Sequence, residues 1–319
     1  MERMRFVALA AALLALAQPA AAEQGYPAKP VRLVVPYAAG GPVDTVGRLV
    51  AQNLSGRWGQ QVVVDNRGGS GGALAVVRSA PDGYTLLVGN SGPITVYPHL
   101  RRSLAYDHER ELAPAAFMVK SCMLLLVHPS LPAASVPQLI ALARRRPGAL
   151  AYSSSGVGGL QHLGMVLFES LAGLKLVHVP YKGAAPALVD LVAGQVQLQF
   201  NNVVGALAHV RAGKLRALGV STAAPSAVLP EVPPVARSLP GFDIASWMGI
   251  YAPAGTPRPV IEQIARDVAW ALGVPETRRR LTELGAEIVA GGPEALAAYT
   301  REESRLFARL VAAAGIPKE

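Results

Sequence analysis

Short runs of apolar residues alternate along the chain with stretches in which apolar positions recur every three or four residues. Val31–Val35 is a β-rich run. In the "DTVGRLVAQNLS" that follows, Val46, Leu49, Val50 and Leu54 fall on one helical face. Val62–Val64, Tyr84–Val88 and Met123–Val127 predict further strands, the last closed by His128-Pro129. "SVPQLIALARRRPG" reads as a helix with Ser135 as its cap and Gly148 as its stop. Strand "LAYSS", helix "GGLQHLGMVLFESLAG", strand "KLVHV", helix "APALVDLVAG", strand "VQLQF", a short helix through "GALAHVRAG" and strand "LRALGVS" come next. A Pro-rich extended stretch, "PSAVLPEVPPVARSLPG", leads into strand "ASWMGIYAP", and three helices near Pro259–Leu272, Glu276–Leu284 and Pro293–Ala314 end the chain. This alternation predicts a parallel, doubly wound α/β architecture.

The first 22 residues fall outside that pattern. A basic start, the apolar run Phe6–Ala17 and the small residues Ala20-Ala21-Ala22 predict a secretory signal peptide cleaved near Ala22. The run is too short to span a bilayer comfortably. About 297 residues remain, which suits two domains. The expected division is residues 23–122 plus 250–319 for a discontinuous first domain and 123–249 for the second, with interdomain crossings near Cys122–Val127 and Ser246–Tyr251.

Composition narrows the partners. Removal of Glu2, Arg3 and Arg5 with the leader lowers the formal charge from +9 to +8. A basic exported protein suits nucleic acid, a membrane surface or small anions. Nucleic acid is excluded by the absence of a basic stripe interleaved with aromatics. Arg144–Arg146 and Arg278–Arg280 sit at helix ends and read as solvated faces. The single cysteine, Cys122, forms no intrachain disulfide and reads as a buried small hydrophobe. The protein is expected to be monomeric and to need no cofactor.

The residues with chemical potential lie at strand ends. In "VVPYAAGGPVD", Gly40 and Gly41 permit a close backbone approach, and the next helix leaves its first N–H groups unpaired. An anion site over Tyr37, Ala38, Ala39, Gly40, Gly41 and Asp44, and a tight turn capped by Asp44, fit these residues equally. The turn is neither a phosphate loop nor a dinucleotide fingerprint. "SSSGVGG" offers Ser153, Ser154, Ser155 and Gly156 where a second helix begins, as ligand donors or as an N-cap. Asn90 and Ser91 in "GNSGP", Tyr181, Lys182 and Gly183 in "VPYKGAAPALVD", and Asn201 in "FNNV" follow other strands. His162 lies one turn into the helix behind the serines, as a ligand contact, a general base or a packing residue. The histidines lack metal-ligand spacing, and no nucleophile or metalloprotease motif is present. In doubly wound sheets ligands bind beyond the carboxyl ends of strands, so two such turns in two domains would face each other across a cleft.

Several of these segments resemble the Bug family, the periplasmic receptors of tripartite tricarboxylate transporters, also called TctC-like. The resemblance rests on "YPAKPVRLVVPYAAGGPVDTVGRLVAQNLS", "VVVDNRGGSGG", "APDGYTLLVGNSG", "LVHPSLPAASVPQLIALARRRPGALAYSSSGVGG", "VPYKGAAPALVDLVAGQVQLQF" and "GIYAPAGTPRPV", in order over the whole mature chain. It implies a periplasmic binding protein of type II, with two α/β domains closing on a small carboxylate. It also implies permease subunits as membrane partners. Di- and tricarboxylates, aromatic acids and acidic amino acids are the ligands it suggests. In the family the first turn, here Ala38–Asp44, holds one carboxylate through backbone and water, and the serine turn, here Ser153–Gly156, holds the nearer one. Two departures stand out. Ala39 replaces the proline of a Pro-Gly-Gly turn, and Asn201 replaces an aspartate. The neutral amide makes an amino-acid ligand less favoured than a plain carboxylate. An exported enzyme using His162 or a loop serine, and a sensory accessory reporting to a membrane kinase, remain the alternative functions.

Overall fold

The structure, a computed structural model, describes residues 25–37, 39–68 and 70–318. The leader expected over residues 1–22 and Ala38 of the first turn lie outside the described residues.

Two parallel strand groups are built from strand–helix units. In the first, β1 (Val31–Val35) pairs with β2 (Val62–Asn66) and β3 (Thr85–Gly89). Helix α1 (Pro42–Trp58) follows β1, and α2 (Ser70–Val77) follows β2. A π-helical turn (Gly92–Val96) runs from β3 into the short α3 (Tyr97–Leu100), and α4 (His108–Glu111) precedes the longest strand. In the second group, β5 (Ala151–Ser154) pairs with β6 (Val177–Pro180) and β7 (Leu198–Asn202). The helices there are α5 (Val136–Arg145), α6 (Leu160–Ala172), α7 (Ala184–Val192) and α8 (Val203–Arg211). β8 (Arg216–Val220) and β9 (Ala245–Pro253) lead back to the C-terminal elements: α9 (Arg258–Gly273), α10 (Pro275–Glu283), β10 (Ala286–Gly291) and α11 (Pro293–Ala313).

The architecture is mixed rather than purely parallel, because two long strands tie the groups together. β4 (Leu112–Val127) is 16 residues long. Its first part, to Cys122, pairs antiparallel with β9, and residues 117–121 also pair with β10. From Met123 onward it pairs antiparallel with β7, and from Leu124 with β8. β9 also pairs antiparallel with β3. The pairing of β9 with β4 begins at Ala245, so the division drawn at 249/250 falls inside this strand.

The apolar run at the end of β4 has a simple cause. Its side chains alternate between two cores, so both faces of the strand are covered. Met123, Leu125 and Val127 pack with Leu139, Leu163, Phe168 and Phe200. Cys122, Leu124 and Leu126 pack with Leu191, Val203 and Ala206. The β1–α1 unit has its own core, in which Leu33, Val46, Val50 and Leu54 meet Ile264 and Val268 of α9. Helix α11 belongs to both ends of the molecule. Leu296 packs with Phe117, Trp247 and Tyr251, whereas Phe307, Leu310 and Val311 pack into the core of α5 and α6.

Candidate functional site

Two adjoining cavities lie where the strand ends of the two groups meet. The larger, of about 430 Å3, takes Tyr37, Asn90, Ser91 and Tyr97 from the first group and Ser155–Leu160 from the second. The smaller, of about 230 Å3, has Gly40, Pro42 and Thr45 on one side and Asn202 and Val204 on the other, and its lining is mostly apolar. Ser246 of β9 lines both. Among the described residues, neither lining includes an acidic side chain. The smaller cavity offers few polar partners, so we place the chemistry in the larger.

The first turn is partly occupied by its own carboxylate. Gly40 has φ +85°, and its N–H donates to Asp44 Oδ2 at 2.9 Å. Arg48 Nε and Asn66 Nδ2 donate to the same carboxylate. These donors hold the Asp44 carboxyl below its usual range against the opposing effect of burial, the largest single influence. Asp44 thus takes up the Gly40 amide. The first-turn amides of Val43 and Asp44 are left without intrahelical acceptors. Ala39 and Gly40 are exposed, and Gly41 is half-buried as the N-cap.

The serine turn divides its hydroxyls. Ser153 and Ser154 are fully buried. Ser153 Oγ donates to Ala187 O, and Ser154 Oγ bonds His178 Nε2 at 2.7 Å while accepting from Gly156 N. Only Ser155 of the three faces the larger cavity. Gly183 N donates to Ser155 O and Tyr181 N to Ser154 O, so the Tyr181–Gly183 loop braces this turn from behind. The Tyr181 hydroxyl is taken by Asp190 at 2.6 Å, and Lys182 is exposed away from both cavities. Gly158 packs so close to α3 that a Cβ there would lie 2.1 Å from Leu100 Cδ1.

His162 stands behind the cleft, not in it. Its Nδ1 accepts the Gly158 N–H at 3.0 Å, which leaves the ring neutral. It stacks on His178 with ring centroids 3.9 Å apart. Burial, then the neighbouring His178, pushes its pKa down to about 4. Both rings line a separate cavity with Tyr152 and Glu169. Asn201 is likewise turned inward, with its Nδ2 donating to Gln199 Oε1 at 3.2 Å, while its neighbour Asn202 lines the smaller cavity.

On the opposite wall, the Tyr37 hydroxyl and the Asn90 amide hydrogen bond to each other, with Asn90 Nδ2 2.9 Å from the hydroxyl oxygen. Burial raises the Tyr37 pKa to about 12, so this hydroxyl keeps its proton. Ser91 reaches down to a fully enclosed carboxyl, that of Glu303 on α11. The sequence alone pointed to Tyr37, Asn90, Ser91, Ser155 and Gly156 of this cavity. It did not mark Tyr97, Leu100, Ser246 or Glu303, which carry no turn signal; Gly158 and Gly159 were visible in "SSSGVGG".

The cleft can donate several hydrogen bonds to an anion but holds no pair fit to attack one. The close serine–histidine contacts, Ser154 with His178, Ser304 with His99 and Ser130 with His128, all lie outside the two cavity linings. Among the described residues no cluster of metal ligands is present.

Comparison with known proteins gives a consistent picture. The profile of TctC, the tripartite tricarboxylate transporter family receptor, matches residues 46–316. Protein BugT of Bordetella pertussis is 34% identical over 305 residues, covering 94% of this chain and 93% of BugT. The Rhodopseudomonas palustris protein Rpa4515, solved with adipate, is 36% identical with a TM-score of 0.79, over 92% of this chain and 100% of that one. MatC of the same organism, solved with bound malate, is 33% identical with a TM-score of 0.75, over 90% of this chain and 100% of that one.

Proposed function

The chain belongs to the tripartite tricarboxylate transporter receptor family, and on that premise we propose that its cleft captures a small dicarboxylate for delivery to membrane permease subunits. Members of the family are periplasmic solute-binding proteins of the type II fold, not enzymes. Export by a leader cleaved near Ala22 is part of the proposal. So is the two-lobed division, with the cleft between residues 23–122 plus 250–319 and residues 123–249.

One observation carries the reading. The larger cavity is lined from both strand groups by hydroxyl, amide and helix-terminal N–H groups, with no acidic side chain among them. In the proposed complex Ser155 and the amides opening α6 hold one carboxylate. Asn90, Ser91 and Tyr37 face the rest of the molecule, and Gly40 and Pro42 of the first turn lie on the adjoining smaller cavity. A volume of about 430 Å3 lies within the usual range of small-ligand sites, ~300–1,000 Å3. Hydrogen bonds to a charged group contribute about 1.5–3 kcal/mol each, and micromolar binding needs about 8 kcal/mol. Four or five such bonds suffice after ordering costs. Adipate and malate, bound by the two relatives, define the chemical class. An ammonium group finds no counter-ion in the lining, so glutamate and aspartate are expected to bind more weakly than adipate.

The test is a thermal-shift screen with adipate, malate, citrate, benzoate and glutamate, with native mass spectrometry of freshly purified protein. A ligand bound only by the folded state raises the midpoint, by RT ln(1 + [L]/Kd) in free energy. Dicarboxylates are expected to raise it most and to be recovered unchanged. No shift with any acid, or chemical conversion of the bound acid, overturns the proposal.

A further inference from the structure

Glu303 lies on α11 directly beneath the cleft wall. It is 6% exposed, and its carboxyl meets four donors on three elements. Thr95 Oγ1 is 2.6 Å and Trp247 Nε1 2.5 Å from Oε2. Ser91 Oγ is 3.3 Å and Tyr299 Oη 3.5 Å from Oε1. The indole N–H can only donate, so Oε2 is fixed as an acceptor. Thr95 Oγ1 also lies 3.0 Å from Ser91 O; with its proton given to Glu303 instead, both lone pairs of Oε2 are taken, which leaves Oε1, the oxygen that faces Ser91, to carry the carboxyl proton.

Ser91 has one proton. When Glu303 is ionised, that proton points down to Oε1, and the cleft meets only the lone pairs of Ser91 with a negative charge behind them. When Glu303 is protonated, Oε1–H donates to Ser91 Oγ, and the serine proton turns toward the cleft. Only the second arrangement offers a donor to a carboxylate.

We propose that Glu303 is a positioning residue that makes binding of a carboxylate in this cleft proton-linked, through the direction of the Ser91 hydroxyl. The inference rests on the carboxylate reading of the cleft and adds that binding takes up a proton. Burial in this pocket raises the Glu303 pKa to about 7, so the switch falls within an ordinary pH range.

Other groups around α11 do not account for such a switch. Tyr251 of β9 and Tyr299 of α11 stay protonated, both raised by burial. Lys120 of β4 stands 4.3 Å over the Tyr299 ring, and Asp243 acts on the same tyrosine. His99 of α3 bonds Ser304 Oγ, and burial lowers its pKa, so it is neutral above pH ~6.5. Arg258 of α9 meets Glu294 at the start of the helix, and Glu287 is the acidic residue of β10. His162 and Glu169 of α6 face the cavity at the far end of α11.

Calorimetry with adipate between pH 6.0 and 8.5, on wild type and Glu303→Gln, tests the proposal. The glutamine amide donates to Ser91 as the protonated acid does, at every pH. Wild-type Kd is expected to rise about tenfold or more across the range, while the variant keeps the low-pH value throughout. A second readout needs no ligand. The Trp247 indole N–H resonance of wild type should titrate near pH 7, and should be flat in Glu303→Gln. Adipate binding that is independent of pH in wild type, or an indole resonance that does not titrate, overturns the inference and leaves the carboxylate reading intact. Failure of adipate and of every other acid in the screen to bind at any pH overturns both.

Discussion

At the residue scale, two buried titratable groups bend the pH dependence of stability in opposite directions. Glu303 has a raised pKa of about 7 in the folded chain, and an unfolded glutamate titrates near ~4.3. Its folded-state advantage is complete below the unfolded value and is lost as pH rises through ~7, by about 4 kcal/mol at most. His162 is depressed to about 4. Its contribution is complete above the unfolded value of ~6.5 and is lost as pH falls toward ~4. Glu303→Gln is therefore expected to gain on wild type as pH rises from ~4.5 to ~7, read from urea midpoints at several pH values. A constant difference between the two proteins across that range would show that Glu303 is ionised throughout. The residue scale is also where the sequence said least. "SSS" is legible as a donor cluster, but whether each hydroxyl looks out or in depends on the bend after β5. That bend buries Ser153 and Ser154 and leaves Ser155 on the cavity.

At the scale of elements, most of the alternation was visible, and its failures have physical causes. The three C-terminal helices appear at Arg258–Gly273, Pro275–Glu283 and Pro293–Ala313, within a residue or two of their expected bounds. The first half of β4 was missed because "LAPAAFMVK" has weak strand propensity and contains Pro114. Pairing with β9 imposes the strand, and the register slips between Pro114 and Ala116, where a proline can be tolerated. β10 was missed because it is six residues between helices, held by its distant partner β4. The loop between β5 and α6 meets α3 where Gly158, at φ +72°, packs on Leu100. Gly158→Ala should weaken dicarboxylate binding, since the new methyl meets Leu100 and the backbone conformation costs ~1–3 kcal/mol. Calorimetry of Gly158→Ala with and without Leu100→Ala separates the terms: the double variant should recover the steric part only. Unchanged binding in Gly158→Ala would mean that this loop and α3 need not approach for capture.

At the scale of the whole molecule, the formal charge, +9 for the full chain and +8 without the proposed leader, acts beyond any single contact. A net positive field draws a dianion toward the cleft, and salt screens it. The association rate for adipate is expected to fall steadily from about 10 mM to about 1 M salt, with the dissociation rate little changed. Stopped-flow fluorescence measures both, and a salt-independent association rate would confine the electrostatics to the cavity. Length and alternation suggest two lobes, a division that belongs to the proposed function. The strap across them was not legible, because a helix's partners are set by packing that its own periodicity does not specify.

That strap, α11, bears on how the protein can be handled. Its early residue Leu296 and its late residues Phe307–Val311 are knitted into different cores, and Lys318 O accepts from Arg102 Nε at 3.0 Å. At the other end of the described residues, Tyr26 packs against Trp58 and Tyr84. A biosensor chip that grips the carboxyl end would hold an element shared by both cores, and on the proposed two-lobed reading would stiffen the closure it is meant to record. A grip at the amino end leaves that shared helix untouched.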